Sequence, residues 1–242
     1  MTRLYVPLPL ISGDHLDLPE DAAHHWTRVL RARVGDSAVL FDGAGREADA
    51  TLQAVSKRGA QVLIGDVRQP TTESPLHTHL GQVMSKGDRL DYALQKAVEL
   101  GVSEITLLTS ERCELRLRGE ERADKKLAHW QRVLISACEQ CGRNVVPALH
   151  GPMEVADWQR QVDTEQKWVL APAVTGGPRP SAEKPASVAL LIGPEGGLSE
   201  DEIQAAQQAG FQPWQLGPRV LRTETAPVAA LTALQLLYGD YH

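Results

Sequence analysis

The rhythm of apolar positions changes near residue 70. Before that point they fall into short runs, Ala38–Phe41, Ala48–Val55 and Ala60–Val67, broken by charged residues and by the turn Asp42-Gly43-Ala44-Gly45. That pattern predicts a small β meander or barrel. Pro19–Val34 departs from it, with a proline and two acids in the first turn and Val29 and Leu30 near the end. It predicts a helix whose polar side carries His24, His25, Arg28, Arg31 and Arg33.

Beyond Gln69–Pro75, a polar stretch with two prolines that reads as a linker, strands and helices alternate. His77–Met84 predicts a strand. Gly87–Leu100 predicts a helix, with Leu90, Ala93, Leu94, Ala97 and Val98 on one face and Gly101 as its stop. Glu104–Leu108 is the next strand, Lys125–Cys141 a helix closed by Gly142, Val155–Val162 a short helix and Lys167–Ala171 a strand, followed by a Gly/Pro-rich loop over Thr175–Pro185. The strand Val188–Ile192 then meets a glycine turn, Gly193–Gly197, and a helix opened by a capping box, Ser199 with Glu202 three residues on. The pattern repeats in shorter form: Trp214-Gln215-Leu216, a turn at Gly217-Pro218, Arg222-Thr223-Glu224, and a last helix over Thr225–Leu237. The expectation is a β-rich domain over residues 1–70 and an α/β domain over 76–242, its mainly parallel sheet covered on both faces. Two glycine turns at neighbouring strand ends would share one crevice, the usual ligand site of such a sheet.

The 242 residues are 42% apolar, ordinary for a soluble globular protein, and no apolar run approaches the roughly eighteen residues of a membrane helix. The N-terminal MTRLYVPLPLISGD lacks the apolar core and cleavage site of a secretion signal, so a cytoplasmic protein is expected. Three cysteines argue against a disulfide framework. Cys138 and Cys141 form a C-x-x-C, but Cys113 alone does not complete a zinc site; reduced thiols near a helix end fit better, and no metal is expected. The net charge of −6 counts against a nucleic-acid partner until its distribution is considered. The excess acid lies beyond residue 146, whereas Arg28, Arg31 and Arg33 cluster early and Arg112, Arg116, Arg118, Arg122, Lys125 and Lys126 cluster in the middle, and local patches decide phosphate binding.

Gly193–Gly197 is neither a P-loop nor G-x-G-x-x-G, because no Lys-Ser/Thr follows it and the spacing differs. Glu195 within the turn would repel a polyphosphate, so a neutral or cationic ligand suits it better. On spacing alone, a structural turn and a binding loop are equally good readings. Arg222 and Glu224 would ordinarily form a local pair or decorate a helix start. Here they follow a second glycine turn among small and apolar residues, which places charge beside a partly buried crevice. Arg143-Asn144 either caps a helix or binds phosphate or base. Lys96 and Glu99 read as an exposed pair. His24 and His25, being adjacent, cannot form an i, i+4 metal pair.

LLIGPEGGLSEDEI and LGPRVLRTETA resemble the two signature segments of the RsmE family, bacterial SPOUT-class methyltransferases acting on N3 of a uridine in 16S ribosomal RNA. MSKGDRLDYALQKAVELGV, SERC at Ser110–Cys113, ACEQCGRNVVP at Ala137–Pro147 and HHWTRVLRARVGD at His24–Asp36 continue the resemblance in the same order over nearly the whole chain. It implies a PUA-like RNA-binding β-barrel domain followed by an α/β SPOUT domain with a deep C-terminal trefoil knot, acting as a homodimer. Knots are very rare, and no periodicity predicts one. The resemblance further implies S-adenosylmethionine as cofactor, held by Leu170, Ala171, Ile192, Gly193, Pro194, Glu195, Gly196, Gly197, Leu216, Gly217, Val220 and Leu221.

The expected chemistry is transfer to an N3 that must first lose its proton, with Arg222 stabilising the developing charge and Glu224 orienting it or acting as acid–base partner. Because N3 lies on the pairing edge, the uridine must be unpaired or flipped out. Arg3, His25, Arg28 and Arg31 in the first domain, with Lys86, Arg112 and Arg143 in the second, are the expected contacts to 16S ribosomal RNA, within the small ribosomal subunit. Two other readings share these features: a SPOUT methyltransferase acting on a ribose 2′-OH, and a non-catalytic RNA-binding assembly factor.

Overall fold

Alternation of buried and exposed side chains builds the sheet of the first unit, residues 1–73 with 135–146. The computed structural model describes residues 1–57, 59–115, 117, 120–171, 176–179 and 183–241. The sheet comprises β1 (Arg3–Tyr5), β2 (His15–Asp17), β3 (Ser37–Phe41), β4 (Glu47–Ser56) and β5 (Gly59–Arg68) in the order β1-β3-β4-β5-β2. All pairs are antiparallel except β1 with β3. Ala48, Ala50 and Leu52 of β4 and Ala60, Val62 and Ile64 of β5 point inward, and Trp26 completes their cluster, as a period of two requires.

Two short strands, β1 and β2, were not legible, since three residues carry too little alternation to read. The expected helix over 19–34 is shorter. α1 (Glu20–His24) continues as one wide turn, His25–Val29, in which the Leu30 N–H donates to the His25 carbonyl at 3.0 Å. Arg31 then adopts a φ of 59°, a left-handed conformation that a helix cannot continue through.

The second unit, residues 74–134 with 147–242, alternates as the periodicity predicts. Its elements are β6 (His77–Val83), α2 (Asp88–Glu99), β7 (Glu104–Thr109), α3 (Glu120–Cys141, whose residues from 135 count with the first unit), β8 (Ala148–Glu154), α4 (Val155–Gln161), β9 (Gln166–Leu170), β10 (Ser187–Ile192), α5 (Glu200–Gln208), β11 (Gln212–Trp214) and α6 (Thr225–Leu237). Six parallel strands lie in the order β11-β9-β10-β6-β7-β8. α3 begins five residues before its expected start, and β11 lies two residues before the apolar triplet 214–216. β8 escaped the sequence reading because Gly151 and Pro152 interrupt it and none of its residues is fully buried. Gly151 is needed there: with φ at 94°, an added Cβ would lie 2.4 Å from the Leu107 carbonyl oxygen. Of the loop expected over Thr175–Pro185, residues 176–179 and 183–185 are described and have no regular structure, and the others lie outside the described residues.

Helices cover both faces of this sheet. His79 and Gly81 of β6 point toward α4, where the Trp158 ring leaves no room for a Cβ on Gly81. Gln82, on the opposite face, reaches Thr223 just ahead of α6. Buried Gln235 ties α6 down, donating to the Leu100 carbonyl at 2.9 Å and accepting from the Ser74 hydroxyl at 2.8 Å.

His79 sits where a charge would be costly. Its Nε2 lies 2.8 Å from the Thr106 hydroxyl and 3.3 Å from the Trp158 indole nitrogen, which leaves the proton on Nδ1 facing Glu104, 3.7 Å away. Burial pushes the imidazole down to about 4; Glu104 opposes this, and His150 and His77 reinforce it. Between pH 6.5 and 4 the unfolded chain therefore takes up a proton that the folded chain refuses, so acid favours unfolding in that window. Urea midpoints measured from pH 7.5 to 4.5 should show His79→Asn losing less stability on acidification than the unaltered protein, by on the order of 2–3 kcal/mol.

Candidate active site

Because β11, β9 and β10 are parallel neighbours, their C-terminal ends lie on one edge of the sheet. That edge gathers the expected cofactor residues: Leu170 and Ala171 end β9, Ile192 to Gly197 end β10, and Leu216 to Leu221 follow β11. The Ala171 N–H donates to the Trp214 carbonyl at 3.1 Å, joining two of these ends. Gly193 leaves the third strand where a side chain would not fit, since a Cβ would lie 2.9 Å from the Leu198 nitrogen. The turn closes with the Gly197 N–H on the Pro194 carbonyl at 2.9 Å, and Gly197 takes a φ of 68°. The segment after β11 is clipped to it, as the Thr223 hydroxyl donates to the Gly193 carbonyl at 3.0 Å. Within the cofactor set, Ala171, Ile192 and Pro194 are buried, whereas Val220 is 82% exposed.

The capping box forms as predicted, and it does more than cap. Glu202 accepts from the Ser199 N–H at 2.8 Å through one oxygen and from the Glu111 N–H at 2.9 Å through the other. Arg112, next in the chain, donates to the Gly196 carbonyl at 3.1 Å and more weakly to that of Leu198 at 3.5 Å. The loop after β7 is thereby stapled to the glycine turn.

Beside this edge lies an open cleft of about 910 Å³ lined by Lys86, Gly87, Asp88, Arg89, Tyr92, Glu114, Glu195, Glu224 and Thr225. It occupies the point where strand order reverses, between β10 and β6, the usual ligand position in an open parallel sheet. Arg89 pairs with Glu195 at 3.0 Å and Lys86 with Glu114 at 2.7 Å. Glu224 stands at the cap position of α6, yet its side chain makes no capping bond, and its Oε2 is buried without a partner among the described residues. Arg222 is exposed, is not among the residues lining the cleft, and has no ion-pair partner among the described residues. The expectation that both charges enter one buried crevice thus holds for Glu224 and not for Arg222.

Sequence comparison decides the family. A model described as RNA methyltransferase domain matches residues 72–235, and one described as RNA methyltransferase PUA domain matches residues 18–65. The ribosomal RNA small subunit methyltransferase E of Buchnera aphidicola subsp. Schizaphis graminum is 38% identical, covering 98% of this chain and 97% of its own. The chain belongs to the ribosomal RNA small subunit methyltransferase E family. The Bacillus subtilis member is 32% identical over 91% of each chain. The Neisseria gonorrhoeae member, solved bound to S-adenosyl methionine, is 40% identical with a TM-score of 0.93 over 100% of each chain. A Legionella pneumophila structure in complex with the cofactor SAM is 42% identical with a TM-score of 0.95 over 99% of each chain.

The residues expected to meet RNA divide into two groups. His25 and Arg28 in the first unit's wide turn and Arg31 just after it are each exposed, and Lys86 is exposed in the cleft lining. Arg3 and Arg143 are instead committed to structure. Arg3 bonds Glu47 at 2.9 Å and the buried Asn144 side chain, and Arg143, 6% exposed, bonds Glu73 at 2.9 Å through Nε. Burial alone would raise the Glu47 carboxyl, but hydrogen bonds from Arg3, Arg68 and Asn144 hold it below its ordinary value. Arg143 also belongs to the first unit, not to the second as its position in the chain suggested. Arg112 holds the glycine turn. Arg116 and Arg118 of the middle basic cluster lie outside the described residues.

Cys138 and Cys141 are both free thiols, Cys138 buried and Cys141 exposed, and burial pushes the Cys138 thiol up to about 12, far from a reactive thiolate. No group of three or more His, Cys, Asp or Glu among the described residues is placed to hold a metal ion. No described helix is long and apolar enough to cross a membrane.

Thr223, Gln82 and the second role of Glu202 were missed by the sequence reading. Thr223 stood in plain view between Arg222 and Glu224, but its partner is thirty residues away and depends on strand order. The Glu202 staple makes a measurable claim. Ser199→Ala, which removes only the cap acceptor, should cost roughly 1 kcal/mol in urea unfolding, whereas Glu202→Ala, which strands two N–H donors, should cost roughly 2. Equal losses would mean that the bond to Glu111 contributes nothing.

Proposed function

We propose that this protein is an S-adenosylmethionine-dependent methyltransferase that modifies N3 of a uridine in the 16S ribosomal RNA of the small ribosomal subunit. The observation that carries this is the gathering of three parallel strand ends, with the glycine turn of Gly193–Gly197 at their centre, in a chain of this family. The cofactor is a sulfonium cation bearing an adenine and a carboxylate. A turn of backbone groups with Glu195 inside it suits such a ligand better than a polyphosphate. Leu170, Ala171, Ile192 to Gly197, Leu216, Gly217, Val220 and Leu221 are the residues that would hold it, the last four on a segment threaded as part of a trefoil knot in the SPOUT manner. When bound, it supplies a methyl group activated by the sulfonium.

The chain's own residues position the acceptor and manage its proton. Arg222 leaves a backbone anchored by the Thr223–Gly193 bond, and its uncommitted guanidinium can approach the substrate to stabilise negative charge on uracil O2 or O4. Glu224, with an unpartnered carboxylate oxygen, orients that arginine or takes part in acid–base exchange. Residues 1–70 form a PUA-like RNA-binding domain whose exposed His25, Arg28 and Arg31 meet phosphate, and residues 76–242 form the SPOUT domain. The enzyme works in the cytoplasm as a homodimer.

Incubation with S-adenosylmethionine and unmethylated small subunits, followed by nucleoside analysis of the 16S RNA, should yield 3-methyluridine. A 2′-O-methylated nucleoside or no product would overturn the reading. Arg222→Ala should lower kcat/KM by at least about a hundredfold while leaving the cofactor Kd, measured by calorimetry, within a few-fold of wild type.

A further inference from the structure

We infer that the cleft between the residues following β6 and the start of α6 is the subsite for the unstacked uracil base, with Tyr92 as its stacking face and Glu224 as the acceptor that selects the N3–H. This rests on the proposed function and deepens it by assigning the base a place and a reader.

Size and charge both favour a base over a phosphate. The cleft, about 910 Å³, is ample for a nucleotide. Asp88, Glu114, Glu195 and Glu224 outnumber Lys86 and Arg89 in its lining, which repels a polyanion and leaves a neutral, flat base as the part of an RNA that can enter. The two cations are in exposed pairs, which are weak, so at the rim they can exchange a carboxylate for a phosphate flanking the base. Tyr92 is 47% exposed and belongs to the lining, so part of its ring is open to a base in the cleft. Lys96, one turn later on α2, lies 5.8 Å from its centroid. Sequence-tolerant stacking of this kind holds unpaired bases generally.

Selection comes from Glu224. Glu224 lines the cleft, and one of its oxygens, Oε2, is enclosed without a donor among the described residues, so turning the carboxylate toward a ligand N–H in the cleft would relieve a costly condition. Uracil presents an N–H at N3, whereas cytosine presents a lone pair there, which the carboxylate would repel. The same contact disposes of the proton. The N3–H bond would break with its proton passing to the Glu224 carboxylate. The electron pair left on N3 would form the new bond to the methyl carbon as the methyl–sulfur bond breaks with its electron pair kept by sulfur, the neutral thioether being the leaving group. Glu224 would later return the proton to solvent.

The test begins with cofactor-free protein and 16S fragments carrying uridine, cytidine or no base at the target position, followed by fluorescence anisotropy. Uridine should bind about tenfold more tightly than cytidine, and Glu224→Gln should abolish that preference. Tyr92→Ala should weaken uridine binding about tenfold without changing the abasic fragment, and Tyr92→Phe should restore it. In turnover, Glu224→Gln should be slow on uridine and partly rescued on 5-fluorouridine, whose N3–H is more acidic. Unchanged base preference in Glu224→Gln, or unchanged uridine binding in Tyr92→Ala, would overturn the subsite. So would a change in the mass of Tyr92→Ala by light scattering, which would make that ring a contact between copies. If the unaltered protein prefers uridine yet transfers no methyl group to it, the proposed function fails while the subsite stands.

Discussion

The bond from the Thr223 hydroxyl to the Gly193 carbonyl is the constraint on which the sheet edge depends. It joins the end of one strand to a segment that follows another, so the glycine turn and the charged residues before α6 are placed together or not at all. Its geometry requires glycine at 193, since a side chain would collide with Leu198, and a hydroxyl at 223. Gln82 approaches the same hydroxyl from β6 at 3.4 Å. Its own amide oxygen is buried without a partner among the described residues, so the polar interior at this point is incompletely satisfied. A site that must accept a polar ligand can retain such groups, whereas a purely structural core would pair them.

The opposite side of the turn is fixed by a different principle. Glu202 and Arg112 hold backbone donors and acceptors through ionic side chains, and charge-assisted bonds of this type are short and directional. The turn is therefore restrained at both ends while its middle, Glu195 to Gly197, remains exposed. Arg112, by its charge a candidate for phosphate, spends that charge on carbonyl groups. Arg3 and Arg143 spend theirs on Glu47 and Glu73. Of the four first-unit residues expected to meet RNA, His25, Arg28 and Arg31 are exposed, whereas Arg3 is not.

How much of this could be read in advance follows from the range of each interaction. α2, α6, β6, β7 and the capping box of α5 were legible because their signals are local: apolar spacing, a glycine stop, Ser199 with Glu202. The glycine turns were legible as turns on one sheet edge, but their strands are not the neighbours expected, since β9 lies between β10 and β11, and strand order is not written in local spacing. The truncation of the first helix was hidden, because nothing in the residue type of Arg31 announces a positive φ. β8 was hidden by Gly151 and Pro152. The fates of Arg3, Arg112 and Arg143 were invisible for a more general reason. A charged side chain looks the same in sequence whether its partner is a phosphate, a carboxylate from another strand or a carbonyl of a distant loop.

That ambiguity bears on the acidic balance of the chain. A net charge of −6 is a poor start for binding a polyanion, and in the second unit four acids against two bases line the cleft. The acids acquire a purpose if the backbone of the RNA and its reacting base are recognised in different places. Phosphate repulsion at the cleft discourages the continuous strand from lying across it, while a single neutral base turned out of the stack meets no such barrier. The same carboxylates favour a sulfonium nearby. A basic cleft would bind more RNA and select less; an acidic one with cations only at its rim would admit a neutral base more readily than a phosphate backbone.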